Sequence, residues 1–261
     1  GGEMVDSHTL IIGELNPHSY QLVKGDDEKF NAADIIFYNG LKLEHGPSLK
    51  RTLEDNVNAY PLGDMIYREH PEKIVFINNE VDPHIWMDVS LFSETVHHIV
   101  KILSEKDPSH ADYYQKRGFL LKQQLDDIDQ NISKILQEVP GHKRYLVTSH
   151  DAFNYFGRAY LATEEERSEN TWRMRVQAPE GLAPDSQLSA LDIKAVIDHL
   201  YRFKVNVLFP ETNVSQDSIR KIVDAGKDKG LDLKIAQCPL FADAMGPAGS
   251  EGDTYGKMMI H

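Results

Sequence analysis

A single cysteine, Cys238, stands among the 261 residues. Neither an intrachain disulfide nor a thiolate metal cluster can be built from this chain. No stretch approaches the roughly 18 apolar residues that a membrane-spanning helix needs. No secretory leader is visible at Gly1-Gly2-Glu3, and the chain stops at Ile260-His261 just after an apolar run, so it reads as a trimmed piece of a longer protein. Positive charge is scarce: 28 Lys and Arg stand against 41 Asp and Glu, a net charge of −13. A surface of that sign argues against nucleic acid or an anionic membrane as partner and mildly favours cations. There is no low-complexity or His-rich tract and no His-Glu-x-x-His helix. What remains is ordinary for a soluble globular protein, 41% hydrophobic and 26% charged, and long enough for one large domain or two smaller ones.

Short apolar runs alternate with helical stretches, the pattern of an α/β sheet. Residues 9–13, 33–38 and 73–77 read as strands in the first half, and 144–148, 205–209 and 233–237 in the second. A helix with Asp88 as its N-cap carries Phe92, Val96, Ile99 and Leu103 at helical spacing. A second stripe, Leu121, Leu125, Ile128, Ile132, Ile135 and Val139, predicts a helix over 109–140, about 30 residues and roughly 45 Å long. That length suits a spine between two lobes, 1–108 and 141–261, better than a coiled coil, which needs more clean heptads. Ile193, Val196, Leu200 and Phe203 mark another helix, and 215–229 a further one polar enough to lie on the surface. Residues 161–187 read as an irregular excursion.

Twelve histidines are present, and three of them, His18, His84 and His150, fall at intervals of 66 residues. Asn16-Pro17-His18 and Asp82-Pro83-His84 share a local phrase, while Ser149-His150-Asp151 follows an apolar run. Each is expected where a loop leaves a strand, the edge at which α/β sheets bind ligands. Neutral imidazole is the commonest metal ligand, and three of them need one carboxylate to complete a four-coordinate site. Glu211, just after the run at 205–209, is a reserve ligand or an acceptor for the far N–H of a bound histidine. His97, His98 and His199 sit inside helices and are read as exposed or edge residues. The remaining histidines lie in polar or terminal contexts.

Four phrases occur in order: Asn16-Pro17-His18-Ser19-Tyr20, Ala33-Asp34 through Asn39-Gly40, Asp82-Pro83-His84-Ile85-Trp86, and Thr148 through Phe156. Asp243-Ala244-Met245-Gly246, Gly252-Asp253-Thr254-Tyr255 and Met258-Met259 follow. Together they resemble the solute-binding proteins of ABC importers for zinc, manganese and iron, the TroA-like family called cluster A-I, over nearly the whole chain. The resemblance implies two α/β lobes joined by one long rigid helix, with one metal ion between them. His18 and His84 would come from the first lobe, His150 and Asp243 from the second. It implies a cargo carrier rather than an enzyme, a monomer located in the periplasm or otherwise outside the cytoplasm, with an ABC permease and its ATPase as partners. It also implies an opening strand and helix before residue 1, an export signal, and a closing helix after residue 261.

The sequence departs from the family in having Asn16 where Asp is usual before Pro-His, and in lacking a His-rich loop, which tilts the reading away from a zinc-only role. One Asp243 oxygen with three nitrogens suits Zn²⁺; two oxygens would suit Mn²⁺ or Fe²⁺. A zinc-dependent hydrolase with Glu211 as base, and a surface adhesin on the same fold, are the alternatives.

Overall fold

The structure is a computed structural model that describes residues 1–13, 15–184 and 188–261. The chain is a helix-rich α/β protein dividing into two compact units, Gly1–Asp129 and Gln130–His261. In the first unit, α1 spans Asp26–Ala32, β1 Ile36–Tyr38, α2 Pro47–Asp55, β2 Ala59–Pro61 and α3 Leu62–Glu69. Strands β1 and β2 pair in parallel, Ile36 against Ala59 and Tyr38 against Pro61, with α2 as the crossover between them. Strands β3, Phe76–Ile77, and β4, Glu80–Val81, form an antiparallel hairpin turned by Asn78 and Asn79, both at positive φ. Of the run read as a strand at 73–77, only Phe76 and Ile77 pair, and they do so in this antiparallel hairpin.

Residues 9–13 do not form a strand. Ile12 is exposed and Gly13 bends the chain at φ 69°, while Leu10 and Ile11 pack against the buried cluster of Phe30, Leu49 and Leu53. The apolar run buries side chains there without a ladder. Next come α4, Val89–Ser93, and α5, Thr95–Lys106. Asp88 caps α4 by accepting the Leu91 N–H at 3.0 Å. His98 is buried on α5 and meets Glu69 at 3.3 Å, so its reading as an exposed residue is corrected: the ring lies on the face that packs against α3.

Helix α6 runs Ala111–Glu138 after a short 3₁₀ turn at Pro108–His110, and the division between the units falls within it. Of its predicted stripe, Leu125 and Ile132 are buried whereas Leu121 and Ile135 are exposed. No helix among the described residues is long and apolar enough to cross a membrane.

The second unit contains β5 Leu146–Val147, α7 Asn154–Phe156, α8 Glu164–Ser168, β6 Val176–Gln177 and α9 Ala190–Phe203. It ends with β7 Val207–Leu208, α10 Asp217–Asp228, β8 Lys234–Ile235 and α11 Tyr255–Ile260. β5 pairs in parallel with β6, and β7 with β8. The Phe209 N–H donates to Val147 at 2.8 Å, tying β7 beside β5. Val147, Val196, Leu200, Leu208, Ile219 and Ile222 are fully enclosed in one core. Burying each contributes about 1.5–3 kcal/mol. Helix α10 thus sends Ile219 and Ile222 inward, against the expectation that it faces solvent; two apolar residues three apart are enough to make a core face on a polar helix. His199 is also buried, between Tyr145 and Phe203, and burial pushes its imidazole down to about 4.

The stretch expected to be irregular holds α8 and β6, and its residues 185–187 lie outside the described residues. Thr163 and Glu166 cap the start of α8 reciprocally. Arg175 then binds Glu166 through Nε at 2.9 Å and Nη2 at 2.6 Å, and its Nη1 donates to the Gly141 and Arg144 carbonyls. Arg175→Ala should strip Glu166 and the Gly141 and Arg144 carbonyls of their donor and cost about 3–5 kcal/mol in urea unfolding. A loss under about 1 kcal/mol would class the contact with exposed pairs.

Candidate metal centre

In the first unit His84 follows β4, whereas His18 follows no strand. Each histidine is set by an Asx side chain two residues earlier. Asn16 Oδ1 accepts the His18 N–H at 2.8 Å, and Asp82 Oδ1 accepts the His84 N–H at 3.0 Å. The intervening proline fixes φ and tightens that turn. Asp82 does more: its Oδ1 also lies 2.7 Å from His84 Nδ1. That contact places the proton on Nδ1 and leaves the Nε2 lone pair outward, the arrangement of a metal-ligating histidine. His18 Nε2 lies 3.3 Å from His84 Nε2, with both rings buried. Two donors at about 2.0–2.1 Å from one tetrahedral ion would be separated by roughly 3.3–3.4 Å.

In the second unit His150 follows β5 and is fully buried. Glu211 holds the Ser149-His150 segment at three points. Its Oε1 accepts the Ser149 N–H at 2.8 Å and the His150 N–H at 2.9 Å, and its Oε2 lies 2.5 Å from His150 Nδ1. Glu211 also forms a parallel bridge with Leu240, so the residue that holds His150 begins the positioning of the loop bearing Asp243. Asp243 Oδ2 lies 3.3 Å from His150 Nε2, and its side chain is enclosed. Burial works against a charged His150 ring, but the Glu211 and Asp243 carboxylates outweigh it and raise the imidazole well above its ordinary range.

Sequence reasoning missed Asp82 as the partner of the His84 ring. The signal was present, since a carboxylate two residues before a histidine can reach both its N–H and its Nδ1. It also missed the loop 39–46, whose contacts are tertiary.

Paired nitrogens in one unit, and a nitrogen beside a carboxylate in the other, are the donors of a metal-binding protein. The chain belongs to the family described as zinc-uptake complex component A, periplasmic, whose model matches residues 1–261. It is similar to the metal-binding protein YtgA of Chlamydia pneumoniae, 40% identical over 242 residues, covering 93% of this chain and 74% of that one. It is 30% identical over 264 residues to the manganese-binding lipoprotein MntA of Bacillus subtilis, covering 100% of this chain and 81% of the relative. The crystal structure of Fe(III)-bound YtgA from Chlamydia trachomatis superposes with a TM-score of 0.93 at 34% identity, covering 100% of this chain and 88% of that one.

Proposed function

We propose that His18, His84, His150 and Asp243 together hold one transition-metal ion as cargo, and that the chain hands this ion to the permease of an ABC importer driven by its ATPase. The observation that carries the reading is the matched spacing of the two pairs. Each places two donors 3.3 Å apart, as neighbours in one coordination sphere would be, and each has a carboxylate on the far nitrogen of a histidine. Relatives whose names specify iron(III), manganese and zinc support a metal of that series as cargo. In this reading the chain acts outside the cytoplasm as a monomer, with residues 109–140 linking lobes 1–108 and 141–261. Four protein ligands leave no open position for an activated water, which suits carriage rather than turnover.

Elemental analysis after equilibration with limiting Mn, Fe and Zn tests this reading. About one metal per wild-type chain is expected, and a His84→Ala variant should retain almost none. Equal metal in both, or none in the wild type, would overturn the assignment.

A further inference from the structure

The loop 39–46 contributes none of the four ligands, yet it grips both histidine-bearing segments of the first unit. Asn39 Nδ2 donates to the Pro83 carbonyl at 2.9 Å, the residue immediately before His84, and to the Gly40 carbonyl at 3.0 Å. Both neighbours are acceptors, so the amide can sit only one way round. At the other end of the loop, the His45 and Gly46 N–H groups both donate to the His18 carbonyl at 3.1 Å. A Cβ on Gly46 would meet the Tyr20 carbonyl oxygen at 2.1 Å, so the close approach to the His18 segment requires glycine.

The loop between these grips is braced. Gly40, Leu41 and Lys42 are all left-handed, at φ 74°, 52° and 66°. Such a run costs backbone energy at the two non-glycine positions and persists only where its surroundings hold it. Glu44 does so, accepting the Asn39 N–H at 2.9 Å and the Gly40 N–H at 3.1 Å. Asp64 accepts the Leu41 N–H at 2.8 Å, and the Leu41 and Leu43 side chains are buried. Burial pushes the Glu44 carboxyl up to about 7, against these N–H donors, so the brace is placed at an electrostatic cost.

We propose that Asn39 and Glu44 are positioning residues for metal binding: they fix the loop that sets the separation of His18 and His84 without touching the ion. This rests on the carrier reading above. A loop that merely packed could lose the Asn39 amide with only a stability penalty. A positioning loop should lose affinity and coordination geometry as well.

Co²⁺ is the probe, because its visible absorption reports ligand geometry. Asn39→Ala should weaken Co²⁺ binding about tenfold or more, the scale seen for groups that orient ligands, and should change the absorption bands. Glu44→Gln keeps one acceptor and should give a smaller loss with the same spectral trend. Leu103→Ala, a core change on α5 that lowers the melting temperature, should leave both affinity and spectrum at wild-type values well below its melting point. Asn39→Ala binding within twofold of wild type with an unchanged spectrum would overturn the proposal, as would an equal affinity loss in Leu103→Ala. Should Asn39→Ala fail to fold, Glu44→Gln decides by the same criteria. A wild-type chain that binds no Co²⁺ would instead remove the carrier reading on which this one depends.

Discussion

His150→Ala is expected to weaken Zn²⁺ binding on the order of 10²–10³-fold, since structural zinc sites gain about 10–16 kcal/mol from four ligands and one quarter of that is lost. The same change should destabilise the metal-free protein. Glu211 and Asp243 both face the ring at short range from enclosed positions, and removing it leaves two carboxylates without their shared cation. Breaking a buried pair in this way costs about 3–5 kcal/mol. Glu211→Gln separates the two effects: it keeps an acceptor for the Ser149 and His150 N–H groups but removes the charge behind Nδ1. Its affinity loss should be about 10–100-fold. Chelator competition gives the affinities, and melting in EDTA gives the apo stability. An affinity for His150→Ala within about threefold of wild type would sink the ligand assignment.

The second large effect is on pH. Because the imidazole of His150 is raised above its ordinary range, the metal-free ring is charged at neutral pH and the ion must displace a proton. Affinity should therefore climb about tenfold per pH unit through 7, rather than level off near 6.5 as an ordinary histidine would make it do. The apo protein should show the opposite trend. A ring whose folded value lies above its unfolded value adds stability that is complete below about 6.5 and is lost as pH rises through the folded value. Calorimetry at pH 7.5 in buffers of different ionisation enthalpy should record close to one proton released per ion bound. Zero release, with flat affinity from pH 6.5 to 8, would mean that the ring is neutral before the metal arrives.

Much of this was legible from local pattern. The Pro-His phrases marked two ligand candidates because a short Asx side chain, a fixed φ and a histidine make a turn that needs no distant partner. Strands β5, β7 and β8 lie within their apolar runs, although each extended region is only two residues long by its ladder. What was not legible depended on distant contacts. Residues 9–13 looked like a strand because apolar periodicity records burial, not pairing. His98 and His199 looked like surface residues because aromatic and carboxylate neighbours from other elements are invisible to spacing. Helix α10 looked solvated because its core face is only Ile219 and Ile222 amid charge. The brace of Asn39 and Glu44 had no spacing signature, since its purpose is to reach Pro83, 44 residues away.

The two donor pairs differ in how much chain must exist before each can form. The first draws its donors, and the Asn16 and Asp82 side chains behind them, from residues 16–84 of the first unit. The second needs Glu211, 61 residues downstream of His150, and then Asp243. Domains fold as they emerge, amino-terminal first. A chain still being made therefore completes the imidazole pair before any carboxylate ligand, and the anionic half of the proposed site is among the last parts to be completed.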